Sequence, residues 1–246
     1  MSDEENKNAK ISIGEIYDQL SAKVPPSVPK KEVKKTEEFK EIRDTVNESR
    51  IKSSCIKVSG DVEYLQKLIF KLYPVTAGLK AFKNDSKIYT DVPLLKAAIS
   101  AAVLSENEKQ FNADTYLIKN KYMLLEPDVI CVEDHPKALE FAKKYNVSKA
   151  VAGFMVLKDD IKNSIIIIGK DDAALLSVCR LIERGIRPYL VLGFPAGPET
   201  QKGSKKYLAE ADLRIPLITM PGTKGGIEVA AACFVELMKI NEENKD

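Results

Sequence analysis

The chain has 246 residues, 44% of them hydrophobic and 30% charged, with 38 basic against 36 acidic side chains and a formal net charge of +2. This composition supports a sizeable core and excludes a disordered or fibrous chain, and the charge balance argues against a dedicated nucleic-acid binder. No apolar run approaches the roughly 20 residues that cross a bilayer, and the start MSDEENKNAK is acidic and polar where a secretion signal is basic and then apolar, so a cytoplasmic protein without a membrane partner is expected.

Residues 1–50 read as a charged N-terminal appendage and linker, and 51–246 as an α/β domain. Within the appendage, Ser12 and Glu15 have capping-box spacing, and Ile13, Ile16, Tyr17 and Leu20 recur on one helical face, which predicts a short amphipathic helix ahead of the proline cluster VPPSVP. Residues 31–50 carry dense opposite charges and little apolar surface, the composition of a solvated helix or a mobile linker. From residue 51 a packed domain begins, with a helix expected near 61–72 and a strand at Ile88–Tyr89. Asp91 then stands at a strand-to-helix junction as an N-cap or a substrate contact, before a helix from Pro93 to about Val103. Strands near 115–125 and 129–132 follow, then helices near 137–145 and 149–158, the first capped by Asp134 or by His135 with Pro136 in its first turn.

The last third alternates strand and helix. Ser164–Ile168 is an apolar, β-branched strand ending at Gly169, and Asp171 or Asp172 caps a helix that runs to about Glu183 and closes at Gly185. Tyr189–Leu192 is a strand ending in Gly193, a helix lies near 200–210, Ile215–Thr219 is the next strand, and Gly225-Gly226 opens an alanine-rich helix to about Lys239. Strands this short and apolar, spaced by amphipathic helices, predict a mainly parallel sheet with helices on both faces, and ligands at the C-terminal ends of its strands.

Three glycine-bearing turns follow these strands: IIIIGKDD, VLGFPAGPE and TMPGTKGGIE. Each is either a tight strand-to-helix connection or an anion site built from unpaired amides at a helix start. None has the Walker or G-x-G-x-x-G spacing of nucleotide sites. Lys170, Lys202, Lys205 and Lys224 surround the turns, as solvated surface lysines or as partners for a ligand with many carboxylates. Cys55, Cys131, Cys179 and Cys233 are scattered, with no C-x-x-C pair and a single histidine beside them. They read as buried reduced thiols, with no zinc site or disulfide framework.

In this order the motifs resemble the precorrin-8X methylmutase family of cobalamin biosynthesis. The likeness rests on IIIIGKDDAALL at 165–176, VLGFPAGPETQKGSK at 191–205 and MPGTKGGIEVAAACFVEL at 220–237, with IYTDVPLLKAAI at 88–99 and PDVICVEDHPKALEFAKKYNVSKAVAGF at 127–154 upstream. It covers about residues 54 to 240 and implies a three-layer α/β sandwich. The resemblance further implies a homodimer that binds a tetrapyrrole, precorrin-8 or cobalt-precorrin-8, and moves a methyl group from C11 to C12, an isomerisation without a cofactor. The implied substrate contacts are Asp91, Ser148, Lys149, Lys170, Gly193, Pro195, Gly197, Ser204, Lys205, Gly222, Gly225 and Gly226.

In the family a histidine in Val-His-x-x-Gly-x-x-Glu is thought to protonate a ring nitrogen. That stretch falls on IKVSGDVE at 56–63, which puts Lys57 in the acid's position. A lysine of ordinary pKa, about 10.4, is a poor acid at neutral pH unless burial or nearby positive charge lowers it. The family's arginine and asparagine are likewise replaced at Lys149 and Lys170, and a second arginine at Thr223; lysine keeps the charge but loses bidentate carboxylate geometry. Two further readings stay open: a non-catalytic relative that binds a tetrapyrrole or other polyanion, and an α/β protein acting on a small phosphorylated or carboxylated substrate.

Overall fold

The computed structural model describes residues 37–112, 123–197 and 203–245. The expected helix around Ser12–Leu20, residues 115–122 of an expected strand, and Lys202 lie outside them; 123–125 are not in a strand. The first elements are α1 (Glu37–Ser59), α2 (Tyr64–Lys67), β1 (Ile69–Lys71), α3 (Pro74–Lys83), β2 (Ile88–Thr90) and α4 (Pro93–Asn112). There follow β3 (Val129–Cys131), a 3-10 turn (Val132–Asp134), α5 (Ala138–Tyr145), α6 (Lys149–Val156), β4 (Ile165–Ile168) and α7 (Asp172–Glu183). The chain then runs through β5 (Leu190–Gly193), α8 (Gly203–Glu210), β6 (Leu217–Thr219) and α9 (Ile227–Glu243).

The six strands lie in the order β1-β6-β5-β4-β2-β3. All neighbours are parallel except the edge strand β1, which pairs antiparallel with β6 through Ile69 opposite Thr219. Side chains alternate across this sheet as the period of a strand requires. Ile165, Ile167, Leu190, Leu192 and Ile218 face a core that also takes residues from α1, α3, α4 and α9. Ile166, Ile168, Val191 and Leu217 face a second core with residues from α6, α7 and α8. The result is the three-layer α/β sandwich with a mainly parallel sheet that the pattern predicted. All four isoleucines of β4 are fully buried, each worth roughly 1.5–3 kcal/mol of apolar burial.

Helix α1 runs without a break through residue 50, where the appendage was set against the domain. Ile51 and Cys55 are fully buried in the first core. Arg50 reaches α9, donating to Glu236 Oε1 at 3.0 Å and to Glu243 Oε1 at 2.8 Å. The charge of Arg50 is thus spent on helix-to-helix ion pairs, where a composition reading takes it for solvation.

The stretch 61–72 is corrected from one helix to the short α2 followed by β1. Two consecutive left-handed residues, Leu72 (φ 57°) and Tyr73 (φ 54°), then turn the chain into α3. Neither is a glycine, so the turn carries no sequence signal, and α3 itself has no counterpart in the sequence reading. The cap assigned to Asp134 or His135 is also corrected. Lys137 occupies the N-cap of α5 without a side-chain cap bond, while His135 Nδ1 accepts from the Lys137 amide at 3.2 Å.

Candidate active site at the C-terminal edge of the sheet

From β4 the chain adds strands in one direction, through β5 to β6, whereas β3 lies beyond β2 in the other. Consecutive connections therefore leave the sheet on opposite faces between β2 and β4, and a crevice opens at their C-terminal ends, the usual ligand position in open α/β sheets.

Asp91 closes the floor of that crevice. It follows β2 directly and has no exposed surface. Its Oδ1 accepts from the Gly169 amide at 3.3 Å, and its Oδ2 accepts from the amides of Lys170 and Asp171, each at 2.8 Å. Burial pushes its carboxyl above the usual carboxylate range, with a further push from Asp171, while the three amides hold it down. Asp91 therefore does not cap its own helix and does not line the cleft. It fills, from within, the amide turn that the sequence left open as a tight connection or an anion site. Asp171 completes the turn as N-cap of α7, accepting from the Ala174 amide at 2.8 Å.

Above this floor lies a cleft of about 550 Å3 lined by Val92, Glu133, Lys170, Asp171, Asp172, Ala173, Pro195, Ala196 and Gly197. Of the substrate contacts implied by the resemblance, Lys170, Pro195 and Gly197 line it. Lys149 is exposed at the start of α6, where its charge acts on Glu133. Ser148 is the N-cap of α6, its Oγ accepting from the Val151 amide at 3.2 Å. Ser204 and Lys205 are buried beneath the surface: Ser204 Oγ donates to Asp172, and Lys205 Nζ donates to the backbone carbonyl of Lys224.

Two glycines shape the walls by close packing. A Cβ on Gly193 would stand 2.6 Å from Leu208 Cδ2, and one on Gly225, at φ +143°, would stand 2.3 Å from the carbonyl oxygen of Phe194. The neighbouring amide of Gly226 donates to the same carbonyl at 2.6 Å, and that of Gly197 donates to Thr223 O at 3.4 Å. The loop after β6, which also holds Gly222, is thus sewn to the loop after β5.

Lys57 lies exposed in the last turn of α1 and is not among the residues lining the cleft. The end of its helix is tied to the same loops, because Lys224 Nζ pairs with Asp61 and, at 3.1 Å, with Glu63. Each of those carboxyls is held below its usual range with help from Lys224. His135 lies in a separate depression of about 340 Å3 with Lys87, Lys96, Asp128 and Asp160. The four cysteines are free and buried, and burial pushes the Cys179 thiol up to about 12. No described helix is long and apolar enough to cross a membrane.

Glu133 is the charged cleft residue that sequence reasoning did not single out. It sits in VEDHP immediately after a strand, where an acidic residue reads as helix-start chemistry. Only the switch-point topology, invisible in a local pattern, turns it toward the cleft.

Fold and site define an open α/β protein with a ligand cleft at its topological switch point. The family model for precorrin-8X methylmutase matches residues 35–240, and the chain belongs to that family. It is 34% identical over 178 residues to the cobalt-precorrin-8 methylmutase of Methanocaldococcus jannaschii, covering 72% of each chain. To the cobalt-precorrin-8 methylmutase of Leptospira interrogans it is 27% identical over 197 residues, 76% of this chain and 80% of that one. Among solved structures, the precorrin-8x methyl mutase of Thermus thermophilus superposes with a TM-score of 0.63 at 24% identity, covering 80% of this chain and 87% of that one, a likeness of fold.

Proposed function

We propose that this protein is a precorrin-8X methylmutase acting on precorrin-8 or cobalt-precorrin-8, an isomerase of cobalamin biosynthesis that moves the C11 methyl of the macrocycle to C12. Family membership supports the reaction class, and the observation that carries the reading to this chain is the cleft, with Lys170 in its lining and Lys149 beside it. A macrocycle rich in carboxylates is matched by these two ammonium groups, and the Pro195–Gly197 loop offers an apolar ledge for its face. On this reading Lys57, outside the cleft lining, is not the acid, and the buried Ser204 and Lys205 hold the loops rather than the ligand. The active species is a cytoplasmic homodimer.

Anaerobic incubation with precorrin-8 and with cobalt-precorrin-8, followed by visible absorption, tests the proposal. Conversion at substoichiometric protein is the expected result. A spectral shift that saturates at one equivalent without conversion would instead define a tetrapyrrole-binding relative.

A further inference from the structure

Glu133 has a position unlike that of the other acids of the cleft. Asp171 is engaged as the α7 cap and Asp172 accepts from Ser204, whereas no described residue hydrogen-bonds the Glu133 carboxylate. It is half-buried in the cleft lining. The charged groups facing it come from three other places: Lys149 from α6, Asp91 from the crevice floor, and Lys170 with Asp171 from the turn before α7. Asp134, beside it in its own turn, is exposed. Burial raises the Glu133 carboxyl above its ordinary range and the two aspartates add to this, while Lys149 and Lys170 pull it down. A polycarboxylate entering the cleft takes those lysines as its own partners and adds negative charge beside Glu133. Both changes favour the protonated carboxyl.

We propose that Glu133 is the proton donor of this site: a polycarboxylate ligand drives a proton onto its carboxyl on entering, and the acid so formed delivers that proton to the macrocycle. The assignment rests on the methylmutase reading. In the step, written for metal-free precorrin-8, whose ring nitrogens hold no metal, the Glu133 O–H bond breaks as an N–H bond forms on a ring nitrogen, leaving a carboxylate and a cationic macrocycle. The bond from C11 to the methyl breaks as the bond from C12 forms, with its electron pair kept within the ring π system. The proton then returns to Glu133, so atoms and charge balance without a co-reactant. The chain's single imidazole does not compete for the role, because His135 lies outside the cleft with Nδ1 bonded to an amide.

Calorimetric titration of the full chain with the isomerised product of metal-free precorrin-8, in buffers of different ionisation enthalpy at neutral pH, counts the protons taken up. Wild type is expected to take up roughly half to one proton per site, the fraction being greatest between the free and bound pKa values. Glu133→Gln should bind within about threefold, take up none, and turn over about 10²–10⁴-fold more slowly with KM little changed, the range of a lost general acid. Glu133→Asp, which keeps a carboxyl, should recover part of the uptake, and His135→Asn should leave uptake and turnover alone. Undiminished uptake or full turnover in Glu133→Gln overturns the assignment and leaves the methylmutase reading standing. Binding of precorrin-8 by the wild type without conversion overturns the methylmutase reading and with it the delivery step, as does no binding at all.

Discussion

Asp91 and Asp171 are joined by a single 2.8 Å hydrogen bond, from the amide of Asp171 to Oδ2 of Asp91, across the crevice between β2 and β4. One carboxylate after β2 thereby fixes the first residue of the turn that starts α7, and with it the wall of the cleft that carries Lys170.

Asp91→Ala removes the acceptor for three amides, of which that of Gly169 is buried. A buried donor left without a partner costs about 1–3 kcal/mol. Urea unfolding of the variant should show a loss in that range, with Asp91→Asn losing less because one carbonyl oxygen still accepts. A loss below about 0.5 kcal/mol would mean that water replaces the carboxylate without penalty.

The same residue sets a pH dependence. The folded Asp91 carboxyl lies above the ordinary aspartate value of 3.8, so between that value and the folded one the native state holds a proton that the unfolded chain has released. This contribution is fully present at lower pH and is lost as pH rises through the folded pKa. Unfolding free energy measured against pH should therefore fall across this window more in wild type than in Asp91→Asn. Parallel curves would assign the slope to other groups.

Gly225→Ala should be more damaging than Gly193→Ala. The first places a methyl 2.3 Å from a backbone oxygen at a positive φ, whereas the second meets the tip of a leucine at 2.6 Å. A strained non-glycine conformation alone costs on the order of 1–3 kcal/mol, and the clash adds to it. Thermal unfolding ranks the two directly, and the reverse order would show that the loop after β6 yields more readily than the core around Leu208.

A chain beginning at residue 51 loses Arg50 with its bonds to Glu236 and Glu243, and Asp44, which accepts from Thr76 Oγ1 at 3.1 Å. It should unfold without a cooperative transition, whereas a chain beginning at residue 37 should keep one. Equal cooperativity in the two would restore residue 50 as a domain boundary.

Lys170→Ala and Lys149→Ala should each raise KM for cobalt-precorrin-8 roughly three- to tenfold, less so in high salt, as for partly exposed ion pairs. Lys205→Ala, lacking surface in the folded chain, should reduce stability instead. A loss of stability for the first pair, or an intact fold with raised KM for the third, would reverse the roles assigned to them.

The elements that the sequence announced carry local punctuation. IIIIGKDD supplies an apolar run, a glycine and an N-capping aspartate in eight residues, and the strand, turn and helix stand where that spacing puts them. Where punctuation is missing the reading failed. The left-handed pair Leu72-Tyr73 lacks glycine, so β1 and α3 were merged or overlooked, and α1 hid its buried face among charges whose partners lie 186 and 193 residues away. At the site, the lysines and the glycine-proline loop were legible as types. The capture of an amide turn by Asp91 and the turning of Glu133 into the cleft were not, because both depend on which strands become neighbours.

The occupied turn before α7 has a practical consequence for work on this protein. Open helix starts gather phosphate and sulfate, but here the amides of Gly169, Lys170 and Asp171 already serve an internal carboxylate. Common buffer anions find no vacancy there, and assays in phosphate should report on the cleft lysines without interference from beneath them.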